Sequence, residues 1–167
     1  GMFNPSDDTW VIIPYKNDLN LNTSYFGAVP EDKIKVTDQV VLFKGDGKSR
    51  SKIGLPPKNS LTIMGSFDPA KKVLTIVQFS LSDDQDYVNS LWKIQKEPYK
   101  GDVINSYNDG PIENGNQIGP FYELESSSSA KELYPGESIK HFHSTYHFEG
   151  DFKTLNYLSK QLLGFDL

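Results

Sequence analysis

The feature that most constrains this chain is a recurrence of short runs rich in β-branched and aromatic residues, each cut off by Gly, Pro, Asn or Asp. Trp10 to Tyr15, Lys33 to Val36, Val40 to Phe43, Ser60 to Met64 and Val73 to Phe79 read this way. So do Val103 to Tyr107, Phe121 to Ser126 and Ile139 to Phe148. Asp68-Pro69 between two of these runs predicts a hairpin. Only the tail departs from the pattern. Asp151 is placed to cap a helix, Phe152, Leu155, Leu158 and Leu162 repeat at helical spacing, and Gly164 is placed to end it. Many short strands with one terminal helix predict an all-β fold, an antiparallel β-sandwich with one C-terminal helix.

The 167 residues fit one domain, 1–167, with no internal repeat and no clear linker. The net charge of −5, and Arg50 as the single arginine, leave no electrostatic footprint for nucleic acid. Without cysteine there are no disulfides and no thiolate chemistry. No apolar run is long enough for a membrane helix, so no membrane insertion is expected. The acidic opening Met2-Phe3-Asn4-Pro5-Ser6-Asp7-Asp8 lacks the pattern of a signal peptide. The compartment stays open, a periplasmic or secreted location requiring a leader upstream of Met2. Gly47-Lys48-Ser49 lacks the spacing of a phosphate loop and any following helix, which removes nucleotide binding. No cofactor is implied.

Several segments offer site chemistry. In a strand, Glu123 and Glu125 project from one face about 7 Å apart, and like charge there raises one carboxyl pKa. All three histidines fall in Ile139 to Phe148. His141, His143 and His147 share one strand face with Thr145, leaving Phe142, Tyr146 and Phe148 for the other, toward the core. A shared metal is not expected, because His143 and His147 lie about 13 Å apart along a strand. Lys48, Arg50 and Lys52 alternate as one strand face would. Asn105, Asn108 and Asp109 form a turn or supply the amides and carboxylate that a hydroxyl-rich ligand needs, and Trp92 offers a stacking face. The Asn108 to Gly119 loop has the length of a functional loop.

Phe121-Tyr122-Glu123-Leu124-Glu125, followed by Leu133-Tyr134-Pro135-Gly136-Glu137-Ser138 and a Tyr/His-rich strand, resembles the C-terminal signature of aldose 1-epimerases. Tyr25-Phe26-Gly27, Gly45 to Leu55 and Gly101 to Pro111 look more like an uncharacterised bacterial branch of the galactose mutarotase-like superfamily. That fold is about twice this long, so the chain resembles its C-terminal half, a partial supersandwich. The resemblance implies a sugar ligand. It makes Glu125 the match to the family's general base and leaves Thr23 where the family's acid stands, with His143 or His141 as a substitute acid from another strand.

Carbohydrate binding by a non-catalytic or degenerate module is therefore the expected function. Glu125 and His143 are the catalytic candidates. Glu123, His141, Arg50, Lys52, Trp92, Asn105, Asn108 and Asp109 are the binding candidates, around one hollow shared by Glu125 and the histidine strand. The alternatives are an epimerase with Glu125 as base, and a structural domain forming a homo-oligomer through its unpaired sheet edges.

Overall fold

A computed structural model describes all 167 residues. Two antiparallel sheets face each other. The smaller has four strands in the order β1 (Met2–Phe3), β9 (Tyr122–Ser126), β8 (Ile104–Asn108) and β5 (Ser51–Leu55). The larger has six, in the order β10 (His143–Glu149), β7 (Val73–Phe79), β6 (Ile63–Asp68), β2 (Trp10–Pro14), β4 (Val40–Lys44) and β3 (Ile34–Val36). The only α-helix, α1 (Phe152–Leu163), closes the chain. No helix is long and apolar enough to cross a membrane.

The strand sequences differ because the two sheets are covered differently. The central strands of the six-stranded sheet are buried on both faces. Val11, Ile13, Val41, Phe43, Met64 and Val77 turn toward the four-stranded sheet. Ile12, Val40, Leu74 and Ile76 turn the other way, onto Leu155 and Leu163 of the helix. A strand such as Trp10-Val11-Ile12-Ile13 is consequently apolar at every position. The four-stranded sheet turns one face into this core, and on its other face only the middle strand β8 is fully covered. Ile53, Leu55, Ile104, Tyr122 and Leu124 enter the core between the sheets, each of the aliphatic ones worth about 1.5–3 kcal/mol of burial. Their neighbours Lys52, Asn105, Tyr107, Glu123 and Glu125 therefore project from the opposite face.

The helix is closed at both ends by the expected residues. Asp151 accepts a hydrogen bond from the Thr154 N–H at 2.8 Å, and Gly164 takes the left-handed conformation, φ 68°. Its buried stripe is rotated from the expected one. Leu155, Ser159 and Leu163 are buried, whereas Phe152 and Leu162 are exposed, Phe152 reaching only the edge of Phe67.

Two strands begin more than one residue later than expected. Ser60 N–H bonds back to Pro56 O in a turn, so Ser60 makes only an isolated bridge to Tyr15 and the strand starts at Ile63. The last strand starts at His143, not Ile139. Its faces are also reversed. His143, Thr145 and His147 pair with Phe79, Val77 and Thr75 and share the core-facing side of the sheet. Phe148 packs into the helix cluster, and Phe142 and Tyr146 are exposed. β10 is an outermost strand with nothing beyond it, which leaves its far side unpaired.

Candidate functional site

The outer face of the four-stranded sheet collects the chain's most unusual side chains. The register aligns Lys52, Tyr107 and Glu123 in one row and Gly54, Asn105 and Glu125 in the next. Lys52 Nζ reaches diagonally over β8 to both carboxylate oxygens of Glu125, at 3.2 and 3.1 Å. Burial, and then the adjacent Glu125 carboxylate, push the pKa of Glu123 up, against the pull of Lys52. The two glutamates thus stand together as the alternation of the strand requires.

A segment preceding β3 folds over this face. Asn22 bridges Gly54 through two backbone hydrogen bonds, each 2.9 Å, and places Tyr25 and Phe26 against the sheet. The Tyr25 hydroxyl donates to Asp102 Oδ2 at 2.5 Å, and the Asn22 side-chain amide donates to the same oxygen at 2.8 Å. Burial raises the pKa of Asp102 despite these two donors. Burial, with the Asp102 charge beside it, raises that of Tyr25 as well. Gly54 makes the arrangement possible: a Cβ there would lie 2.3 Å from Asp102 Oδ2. Asn105 is buried in the second row. Its amide donates weakly to Asp102 O at 3.4 Å, and its Oδ1 has no hydrogen-bond partner.

At the other end of the face, Tyr107 donates its hydroxyl proton to Asp109 Oδ1 at 2.8 Å, and Gly119 N–H donates to Oδ2 at 3.0 Å. Phe121 and Phe26 pack on the Tyr107 ring, with centroids 5.7 and 5.6 Å away. Arg50 stands over Phe26 and forms a wall common to two hollows. One, of about 270 Å³, is completed by Asp109, Asn116 and Gln117, and the other, of about 570 Å³, by Glu113 and Asn114.

Of the expected residues, the structure brings Arg50, Lys52, Asn105, Asp109, Glu123 and Glu125 onto this one face. It separates the rest. Asn108 points inward and is fully buried. Its Oδ1 accepts from Gly47 N–H at 2.8 Å, while its amide donates to Asp46 Oδ1 at 3.1 Å and Ser49 O at 2.9 Å. Those bonds fasten the 46–49 turn and leave nothing for a ligand. Lys48, in that turn, pairs with Asp7. Trp92 stands 95% exposed on the segment between β7 and β8.

The histidines are displaced from the glutamates by strand parity. His141 Nε2 and His143 Nδ1 both meet the Ser126 hydroxyl, at 2.8 and 2.7 Å. Ser126 follows Tyr122 and Leu124 onto the core-facing side of β9, opposite to Glu125. The single hollow expected for Glu125 and the histidines is therefore two environments. Burial, then nearby positive charge, lowers the pKa of His143. His141 also meets Ser80 Oγ at 3.2 Å and borders a hollow of about 330 Å³ with Ser82, Ser128, Ser129, Asp84 and Tyr87. His147 instead meets Thr75 Oγ1 at 3.0 Å.

Tyr25, Phe26, Asp102 and Tyr107 are parts of the outer face that residue-by-residue reading did not single out as site residues. The Pro135-Gly136-Glu137 segment forms a turn, with Gly136 at φ 92° and Glu137 N–H bonded to Tyr134 O at 2.9 Å.

A model of a family of unknown function, DUF6786, matches residues 1–167. The chain belongs to that family. No curated protein and no solved structure matches it. The site of this DUF6786 chain accordingly rests on its own geometry: a polar and aromatic sheet face, held on a two-sheet core, with a glutamate pair at one end and an arginine-walled pair of hollows at the other.

Proposed function

We propose that this chain binds carbohydrate on the outer face of its four-stranded sheet. The observation that carries the reading is the composition of that face. Lys52, Glu123 and Glu125 come from β5 and β9 and, with Arg50 just before β5, share one side above the buried Tyr107 and Asp109. Sugar hydroxyls need donors and acceptors interleaved at close spacing, and the apolar face of a sugar ring needs aromatic carbon. Phe26, exposed and packed on the buried Tyr107 ring, supplies the second beside the first. Asn105 Oδ1, buried without a donor, adds an acceptor whose partner a ligand hydroxyl or a bound water would supply. The likeness of Phe121 to Glu125 and of Leu133 to Ser138 to aldose 1-epimerases supports the same ligand class.

Binding is proposed in preference to turnover. Ring opening at an anomeric carbon needs an acid and a base on opposite sides of the sugar. Glu125 offers a base, but His141 and His143 are engaged by Ser126 on the other side of β9. The test is calorimetric titration of the chain with ligands chosen from a glycan array. Millimolar-to-micromolar binding that weakens with Glu125→Gln or Lys52→Met supports the reading; no sugar bound in either assay refutes it.

A further inference from the structure

Arg50 is held in place by the protein without being neutralised by it. Its guanidinium lies 4.3 Å over the Phe26 ring, and its Nε–H donates to the Tyr107 hydroxyl at 3.3 Å. Those two contacts set the plane of the group and occupy its Nε side. The terminal N–H fork makes no hydrogen bond within the protein, and Arg50 has no ion pair. Asp109 borders the same hollow, but both of its oxygens are taken, one by the Tyr107 hydroxyl and one by Gly119 N–H. The Tyr107 hydroxyl thus accepts from Arg50 and donates to Asp109, which orders all three groups.

We propose that Arg50 selects sugars carrying a carboxylate, that is, uronates, over neutral sugars; this rests on the carbohydrate reading above. A guanidinium fork matches a carboxylate with two parallel hydrogen bonds. Here the fork is oriented before the ligand arrives, so little ordering entropy remains to be lost on binding. The hollows on either side leave room for the ring, and the side-chain amides of Asn114 and Asn116 line them, whereas the Gln117 amide is held by Gly47 O at 2.7 Å. A singly charged group suits the site better than a phosphate monoester, which carries about −1.5 to −2 near neutral pH. One cation stands there among Asp109 and Glu113, in a chain of net charge −5.

The experiment is NMR titration of the full chain with D-galacturonate and D-glucuronate, with D-galactose and D-glucose, and with the 6-phosphates of the neutral pair. It is repeated with Arg50→Gln and Arg50→Lys. Arg50 is exposed, so both variants are expected to melt with the wild type. The uronates are expected to bind about ten- to a hundredfold more tightly than the neutral sugars, the range of a charge-assisted hydrogen-bond pair. Arg50→Gln is expected to weaken the uronates more than the neutral sugars until the preference is gone, and Arg50→Lys keeps only part of it, because an ammonium cannot form the fork. A neutral sugar bound as tightly as its uronate, or a preference that survives Arg50→Gln, overturns the inference and leaves the carbohydrate reading standing. A 6-phosphate bound more tightly than the uronate overturns the assignment to a carboxylate. Failure of the wild type to bind any of the six overturns both.

Discussion

Lys52 on β5 and Glu125 on β9 are joined across the intervening strand by two contacts of 3.1 and 3.2 Å. The pair ties β5 to β9 over β8. Lys52 is only 12% exposed and Glu125 33%, which puts the pair between a surface ion pair of little worth and a buried one whose disruption is costly. Glu125→Gln is expected to lower stability by about 1–2 kcal/mol and to weaken sugar binding about tenfold through one lost charged hydrogen bond. Urea unfolding and calorimetry measure the two effects. Anomer interconversion followed by NMR is expected to run at the same rate with the wild type and with Glu125→Gln. Acceleration by the wild type alone would favour the epimerase reading.

Asp102 gives a pH signature of definite sign. Its folded pKa is raised by burial above the ordinary value of 3.8. The folded state therefore takes up this proton first as pH falls. The stabilisation from this group is complete below 3.8 and is lost as pH rises through the raised value. Asp102→Asn keeps an oxygen to accept from Tyr25 and Asn22 without a charge to desolvate. It is expected to be more stable than the wild type at pH 7, with the gap closing toward about pH 4. Thermal melts across that range check this; parallel profiles for the two proteins would contradict it.

Gly54 is required by the same carboxylate. Gly54→Ala would place a methyl 2.3 Å from Asp102 Oδ2, at an expected cost of about 1–3 kcal/mol. Combined with Asp102→Ala, the substitution should cost less than the sum of the two single changes, because Oδ2 and Cγ, the two nearest of the clashing atoms, are gone. Additive losses in a denaturant double-mutant cycle would show that the strain lies elsewhere.

Asn108 separates scaffold from site. Asn108→Ala removes three hydrogen bonds to the 46–49 turn and leaves buried groups unpaired, an expected loss of about 2–3 kcal/mol. Sugar affinity measured well below the melting temperature should fall less than with Glu125→Gln. A large affinity loss in a fully folded Asn108→Ala protein would return this residue to the ligand.

The strand content, the closing helix with its two caps, and the shared face of Glu123 and Glu125 were all legible in the sequence, because each depends on spacing within one element. Trp10 to Pro14 and Tyr122 to Ser126 even carry the difference between a strand covered on both faces and one covered on a single face. What could not be read is parity between elements. Asn105, Asn108 and Asp109 look like one polar group, yet in a regular strand 105 and 109 project opposite to 108. The histidines reach Ser126 and not Glu125 for the same reason, one residue of phase. The Tyr25–Asp102 contact spans 77 positions of chain, and no local pattern announces a pairing at that distance. A glycine at 54, within a strand, was the one local sign that another group approaches closely there.

The most direct test of the account follows backbone amide chemical shifts while the chain is titrated with D-galacturonate. Shifts are expected in residues 50–54, 105–109 and 121–125 and in the 111–118 loop, the strands and loop that build the outer face. A spectrum that does not change, or one that changes only around α1 and the six-stranded sheet, would contradict it.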